Sequence, residues 1–207
     1  MERIQWTDGL VLELKDTDKH QRLPQINYIV GWILDLYLTR DMLCFEWGSG
    51  GSTVFLAQRS PGAITIDHDP EWYRITEQAL EYNEVWEFAD LKLIEPEDGE
   101  VEGYLSAFSE EYKGKNFERY VKSIDIHGKN TFDLVMVDGR SRSACLRHAA
   151  PKVKSGGLLV LDDSNRRRYK KAMDEMADYG LHRMDFVGPA NYVKPDLPIH
   201  TTVWLKE

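Results

Sequence analysis

The sequence is poor in cysteine and has no long apolar run, and these absences exclude several classes of protein. Cys44 and Cys145 are the only cysteines among 207 residues, and both lie in apolar segments. This excludes a disulfide framework and a cysteine-rich metal site, and it predicts a reducing, cytoplasmic location. The sequence has no run of about 18 apolar residues and no charged-then-apolar leader pattern at its start. We therefore expect no membrane partner.

Positive charge is also in short supply. The chain has 26 Lys and Arg residues against 35 Asp and Glu residues, which gives a formal net charge of −9. Nucleic-acid binding draws most of its affinity from cationic contacts to phosphates, so this balance argues against a nucleic-acid partner. The hydrophobic fraction of 42% and the chain length suffice for one domain with its own core.

Strand-like and helix-like segments alternate along the chain from residue 41 onward. Strands are predicted at 41–47, 63–67, 91–94, 132–138, 158–162, 182–187 and 199–205, and helices at about 52–59, from Pro70, at 143–154 and around 169–177. Such alternation is typical of a parallel sheet with helices on both faces. The fold class predicted is α/β, a Rossmann-like doubly wound sheet of about seven strands with the last strand antiparallel.

The pattern predicts a single domain with an added segment at its start. Residues 1–40 are expected to form an N-terminal helical cover, since apolar side chains recur at helical spacing between Ile26 and Tyr37. Residues 41–207 are expected to form the main domain. Residues 96–130 interrupt the alternation and are predicted to be a lid-like insertion, because they follow the carboxyl end of a strand.

A glycine-rich turn follows the first strand, and an acid stands just before it. The sequence reads Glu46-Trp47-Gly48-Ser49-Gly50-Gly51-Ser52-Thr53 and continues into a helix. Glycine lets the backbone approach a ligand closely, and the helix N-terminus offers free N–H groups. An acid at Glu46 would repel a pyrophosphate and would attract a ligand that carries an ammonium group.

Acidic residues stand at the ends of four predicted strands. They are Glu46, Asp67, Asp138 and Asp162. Ligands of open parallel sheets bind at the carboxyl ends of the strands, so the four side chains are expected to line one edge of the sheet.

These motifs resemble those of the class I S-adenosylmethionine (SAM)-dependent methyltransferases. The likeness covers roughly residues 40–207 and includes the acid before the glycine turn, the acid after the second strand and the Gly156-Gly157 pair before the fifth strand. It implies that the turn cradles the methionine part of SAM and that Asp67 holds the ribose. The predicted cofactor-binding residues are Glu46, Gly48, Ser49, Gly50, Ser52, Thr53, Asp67 and His68.

A second likeness, to magnesium-dependent small-molecule O-methyltransferases of the catechol and macrocin type, involves the acids of the fourth and fifth strands. It implies that Asp138, Asp162 and Asp163 bind Mg²⁺ and that Asp138 and Asp162 are catalytic. A bound cation would hold the acceptor and lower the pKa of its hydroxyl group. The alternative is that Asp138 contacts the cofactor or a substrate amine, while Asp163 caps the following helix.

The residues after Asp138 depart from this second pattern. Those relatives place a lysine or an acid there, whereas this chain has Gly139, Arg140 and Ser141, and arginine stays protonated. Arg140, Arg142 and Arg147 are candidates for binding a substrate carboxylate or phosphate, or else they pair with the protein's own acids. The basic run 166–171 is either an anion site beside the pocket or a solvated helix face. His127 and His148 are candidates for proton transfer.

The function implied by the resemblance is methyl transfer from SAM to a small-molecule acceptor, in the first place to oxygen, with a divalent metal as an option. Three alternatives stay open: an N-methyltransferase of the same fold, a SAM-binding protein without transferase activity, and a nicotinamide-dependent oxidoreductase. The last uses a related G-x-G-x-x-G turn, but Thr53 stands where its third glycine would be.

Overall fold

Residues 24–106, 110–189 and 198–207 are described by the computed structural model, and a seven-stranded sheet runs through them. The strands are β1 (Cys44–Trp47), β2 (Ala63–Asp67), β3 (Ala89–Leu93), β4 (Glu97–Asp98), β5 (Lys115–Asn116), β6 (Phe132–Val137), β7 (Val153–Leu161), β8 (Leu181–Gly188) and β9 (Ile199–Lys206). The helices are α1 (Tyr28–Tyr37), α2 (Gly51–Arg59), α3 (Pro70–Tyr82), α4 (Glu118–Lys122), α5 (Arg142–Ala149) and α6 (Lys170–Asp174).

The strand order of the main sheet is β3-β2-β1-β6-β7-β9-β8, and β4 and β5 form a separate pair. The strands β3, β2, β1, β6 and β7 run parallel, while β9 is antiparallel to both of its neighbours. The predicted doubly wound sheet with its antiparallel last strand is therefore confirmed. The chain leaves β1 toward β2 on one side, and β6 lies on the other, so the switch point lies between β1 and β6.

The sheet is apolar on both faces because its strands are buried between two helical layers. Phe45 and Trp47 of β1 pack into one core cluster with α4, α5 and α6. Cys44 of the same strand packs into a second cluster with α1 and α2. Successive residues of a strand point to opposite faces, so a continuous apolar run serves both layers.

Two helix boundaries show how well local signals predict the elements. Helix α3 begins at Pro70 as expected, because Asp69 caps it by accepting hydrogen bonds from the Glu71 and Trp72 amides at 2.9 and 3.2 Å. Helix α5 ends at Ala149, whereas the predicted helix extended to residue 154. Pro151 explains the difference: Ala150 still has helical backbone angles, but proline has no N–H group to continue the helical hydrogen bonds.

The N-terminal cover and the insertion are described only in part. Helix α1 buries Val30 and Leu34 against the sheet, while residues 1–23 of the predicted cover lie outside the described residues. Within the predicted insertion, Phe117 and Tyr120 are fully buried in the main core. That part of the segment therefore belongs to the main core. No helix in the described ranges is both long and apolar enough to cross a membrane.

Candidate functional site

A cavity of about 260 Å³ opens at the carboxyl ends of β1, β2 and β6, next to the switch point. Its walls come from the glycine turn, the segment after β2 and the segment after β6. The lining residues are Gln25, Gly48, Ser49, Gly50, Gly51, Ser52, Asp67, His68, Asp69, Trp72, Asp138, Gly139 and Arg140. Six of the eight predicted cofactor-binding residues are among them, and Glu46 and Thr53 are not.

Gly48 fixes the shape of the turn because no other residue fits there. Its φ angle is +92°, and an added Cβ would lie 2.7 Å from the backbone nitrogen of Gly139. The amide of Gly48 also donates to the carbonyl of Ile66 at 2.9 Å. The loops after β1, β2 and β6 therefore meet backbone to backbone, which brings their functional residues to one cavity.

Asp67 is the buried anion of this cavity. One carboxylate oxygen, Oδ1, accepts from the amides of His68 and Asp69 at 2.7 and 2.9 Å, and Oδ2 accepts from the amide of Ser49 at 2.6 Å. Burial raises its pKa, but the hydrogen bonds from His68 and Ser49 outweigh that effect and leave the pKa below the usual value. Asp67 is therefore ionised, and Oδ2 keeps room for a further donor.

Glu46 lies beneath the turn and braces it. Its Oε2 accepts from the Thr53 and Thr65 hydroxyls at 2.7 and 2.9 Å, and Thr53 Oγ1 also accepts from the Gly50 amide at 3.0 Å. Glu46 is completely buried, and its Oε1 atom has no hydrogen-bond partner. Burial raises the pKa of Glu46 to about 7. Glu46 and Thr53 thus shape the turn from below, and their direct contact with a cofactor stays a prediction.

Replacing Glu46 with glutamine is expected to change how stability depends on pH. The raised folded-state pKa means that the folded chain keeps a proton that the unfolded chain releases between about pH 4.5 and 7. This acid therefore makes the free energy of unfolding fall as pH rises through that window, by up to about 3 kcal/mol. The variant Glu46→Gln cannot titrate, so its stability relative to the parent should increase between pH 5 and pH 8. Urea denaturation at both pH values measures this.

The control for this experiment is Glu81→Gln, which changes an exposed acid on α3. Its stability curve should run parallel to that of the parent chain. A Glu46→Gln curve that also runs parallel to the parent would contradict the assignment of a buried carboxyl group with a raised pKa to Glu46.

Arg142, at the start of α5, occupies the space between the acids of β6 and β7. Its guanidinium donates to the carbonyl oxygens of Gly139, Asp162 and Asp138 at 2.9, 2.6 and 2.6 Å, and Nη2 lies 2.8 Å from Asp138 Oδ1. Only 8% of the Arg142 side chain is exposed. The buried guanidinium therefore neutralises this edge of the sheet and ties the two strand ends together.

The three acids that were predicted to bind a metal contact protein side chains in the structure, and Arg142 pairs with two of them, Asp138 at 2.8 Å and Asp163 at 3.8 Å. Asp138 pairs with Arg142, the buried Asp162 accepts from Thr201 Oγ1 at 2.7 Å, and Asp163 pairs with Arg166. No group of three His, Cys, Asp or Glu side chains placed to hold a metal ion occurs within residues 24–106, 110–189 and 198–207. Arg142, which is permanently charged, lies beside two of these acids, and their binding of a metal ion stays a prediction. The alternative helix-capping role of Asp163 is not formed, since no helix begins directly after it.

Asp138 and Asp162 differ in what they can do chemically. Asp138 lines the cavity with 24% of its side chain exposed, and burial raises its pKa to about 6 against the opposing effect of Arg142. Asp162 is 4% exposed and lines neither this cavity nor the second cavity that adjoins it. Burial and the charge of Asp138 raise the pKa of Asp162 well above its usual value. Asp138 can therefore exchange a proton with a ligand, whereas Asp162 supports the strand end.

A second cavity, of about 470 Å³, adjoins the first. Gly139 and Arg140 form part of both walls. The remaining lining residues are Gly103, Leu105, Ser106, Ser141, Arg142, Ser143, Arg166, Arg168 and Tyr169. A ligand in one cavity would therefore lie next to a ligand in the other.

Several residues of the site were not predicted, and two predicted candidates lie elsewhere. Trp72 lines the first cavity and donates through Nε1 to the Ser49 carbonyl. Its position in the first turn of α3, shortly after Asp67, is the signal that could have identified it. His127 and His148 line neither cavity. His148 is held by Asp125 at 2.9 Å and by the Tyr104 hydroxyl at 3.3 Å.

Comparison with known proteins agrees with this geometry. A family model described as a methyltransferase domain matches residues 45–164, which is more than half of the chain. No curated protein sequence matches the chain.

Solved structures share the fold at low sequence identity. A putative O-methyltransferase from Klebsiella pneumoniae superposes with a TM-score of 0.63 at 14% identity and covers 97% of this chain and 91% of its own. An O-methyltransferase from Bacillus cereus in complex with SAH (S-adenosylhomocysteine) gives 0.62 at 13% identity, with 97% and 92% covered. A precorrin-8w decarboxylase from Methanobacterium thermoautotrophicum gives 0.57 at 17% identity, with 88% and 92% covered.

Proposed function

This chain belongs to the SAM-dependent methyltransferases, and from that premise we propose that it methylates an oxygen atom of a small-molecule acceptor. The observation that carries the proposal is the pair of adjacent cavities with a common wall at Gly139 and Arg140. The first cavity is suited to the cofactor and the second to the acceptor. The O-methyltransferases of Klebsiella pneumoniae and Bacillus cereus support the choice of oxygen, since they share the fold over nearly the whole chain.

The residues of the first cavity fit SAM. Asp67 is an ionised carboxylate with acceptor capacity left on Oδ2, as the ribose hydroxyls require. Glu46 lies beneath the turn, outside the lining, with one oxygen that has no hydrogen-bond partner, and Ser52 is part of the lining. When bound, SAM would supply a methyl group attached to a positively charged sulfur, and the sulfur would keep the electrons of the carbon–sulfur bond.

Asp138 is proposed as the base that prepares an acceptor hydroxyl. Its pKa of about 6 leaves it mostly ionised at neutral pH, yet able to take a proton. As the acceptor oxygen bonds to the methyl carbon, its proton passes to Asp138. The protein's main contribution is to hold the two reactants at attack distance, with Gly139 and Arg140 setting their separation.

Arg142 takes the part of the cation in this proposal, and no step depends on a metal. The guanidinium holds Asp138 from one side and the strand-end carbonyls from the other. Asp162 is accordingly proposed to be a structural residue. The two buried, unpaired cysteines also support a place in a reducing compartment such as the cytoplasm.

The proposal is tested by incubating the chain with SAM and separate sets of phenols, carboxylic acids and amines, in EDTA and in Mg²⁺. Formation of S-adenosylhomocysteine, together with an acceptor product that has gained one methyl group, identifies the acceptor class. With a hydroxyl acceptor, the rate should rise with pH through about 6 and then level off, because Asp138 must be ionised. Asp138→Asn should lower kcat by about 100-fold or more and abolish that rise.

The matched control is Asp178→Asn, which changes an exposed acid away from both cavities. It should leave the rate and its pH dependence unchanged. If the products are methylated only on nitrogen, the proposal is wrong and the chain is an N-methyltransferase. Cofactor binding without any transfer would favour a SAM-binding protein without activity, and loss of transfer in EDTA that Mg²⁺ restores would refute the role given to Arg142.

A further inference from the structure

The second cavity is lined by several cationic side chains, although the protein as a whole carries a net charge of −9. Four arginines line it, and no acidic residue does: Arg140, Arg142, Arg166 and Arg168. Arg142 pairs with Asp138 at 2.8 Å and with Asp163 at 3.8 Å, and Arg166 pairs with Asp163; both aspartates lie just outside the lining. The pairs with Asp138 and Asp163 do not involve Arg140, which therefore contributes positive charge to the cavity wall.

Arg140 is the member of this set that is best placed for a ligand. Its Nε donates to His68 Nε2 at 3.3 Å, and its guanidinium lies 5.3 Å from the centre of the Tyr112 ring. Among residues 24–106, 110–189 and 198–207, no carboxylate oxygen lies within 4.0 Å of its guanidinium nitrogens. The side chain is thus held by a ring and an imidazole, while its charge is left for a partner.

Hydroxyl and amide donors surround these charges. Ser106, Ser141 and Ser143 line the cavity beside the arginines, and Ser141 to Ser143 form the start of α5. Ser141 has a φ angle of +49°, an uncommon conformation for serine, at the point where the chain turns from the cofactor cavity into the helix. The first turn of a helix leaves N–H groups unpaired, so it adds donors to the same wall.

We propose that the arginine-lined cavity binds an acceptor carrying a carboxylate or phosphate group, with Arg140 as the specificity-determining residue. Guanidinium groups match the geometry of both anions, because two N–H groups can reach two oxygens. The protein's net negative charge repels anions at long range. The arginine cluster attracts an anion locally, and for this reason it favours acceptors that carry one. The inference rests on the proposed function, since it names the substrate class of the same site.

The experiment uses the full chain saturated with S-adenosylhomocysteine and titrates it with three probes of similar size. Benzoate carries a carboxylate, phenyl phosphate a phosphate, and benzamide is the neutral counterpart of benzoate. Calorimetry should show saturable binding of at least one anion and none of benzamide, and the stronger anion identifies the group. Arg140→Gln should weaken that binding by about tenfold or more, and Arg140→Lys should weaken it less.

Arg147→Gln is the matched control, because Arg147 lies on α5 but pairs with Glu175 outside the cavity. It should bind the anion as the parent does. Equal binding of benzamide and benzoate, no anion binding, or equal loss in Arg140→Gln and Arg147→Gln would overturn the inference. The S-adenosylhomocysteine titration of each sample separates the two claims. Cofactor binding without anion binding refutes only the inference, and absence of cofactor binding refutes the proposed function.

Discussion

Replacement of Arg142 by glutamine is expected to lower the free energy of unfolding by about 3–5 kcal/mol, the usual cost of removing one partner from a buried ion pair. The guanidinium donates to three carbonyl oxygens and pairs with Asp138, and it is 8% exposed. Glutamine is too short to reach these groups and carries no charge. The variant would leave a buried carboxylate and several carbonyls without donors. Urea denaturation at constant pH measures the loss.

Two further variants make this result specific. Arg147→Gln, on the same helix, removes a half-exposed pair with Glu175 and should cost about 0–1 kcal/mol. Arg142→Lys keeps the charge but loses the forked geometry, so its stability should lie between those of the parent and Arg142→Gln. If Arg142→Gln were as stable as Arg147→Gln, Arg142 would not be the cation that holds this edge of the sheet together.

Replacement of Asp67 by asparagine is expected to raise the Kd for S-adenosylhomocysteine by about 10- to 100-fold. A hydrogen bond to a charged group contributes about 1.5–3 kcal/mol, and 1.4 kcal/mol corresponds to a tenfold change. Asparagine nearly preserves the shape but removes the charge and turns one acceptor into a donor. That donor would oppose either the Ser49 amide or the cofactor hydroxyls. Isothermal titration calorimetry measures the change.

The control is Asp90→Asn on the neighbouring strand β3, where the acid is exposed and pairs with Lys92. It should leave the Kd unchanged. Thermal denaturation of both variants shows whether the fold persists, since Asp67 also accepts from three backbone amides. A folded Asp67→Asn variant with the parent's affinity would contradict the role assigned to Asp67.

Local patterns predicted most of the fold because they act over a few residues. The apolar run that contains β1, the cap at Asp69 and the alternation of elements required only neighbours along the chain. The predicted C-terminal end of α5 was wrong because the helix was extended past Pro151, which has no N–H group to continue the helical hydrogen bonds. The first cavity was also largely predictable, since the carboxyl ends of parallel strands meet at one edge.

The acids after β6 and β7 were placed correctly at the sheet edge, and pairing of Arg142 with the protein's own acids was one of two alternatives, but which acids it contacts was not predicted. Asp162 is bonded to Thr201, 39 residues later in the chain, and Arg142 spans the ends of two strands. Three acids at two strand ends predict that a cation lies beside them. The sequence does not show whether this cation is a bound metal ion or the side chain of an arginine. The packing of α5 against the sheet is what brings Arg142 to these strand ends.

The sequence by itself determined the alternation of strands and helices, the glycine turn and the acid at Asp67, because each follows from residue types close together in the chain. The tertiary structure decided which charges meet. It buried Glu46 beneath the turn, set Arg142 between the strand ends and left Arg140 facing the second cavity. The reason is physical: burial and pairing depend on atoms brought together from distant parts of the chain, and they fix both the pKa and the availability of every charge in the site.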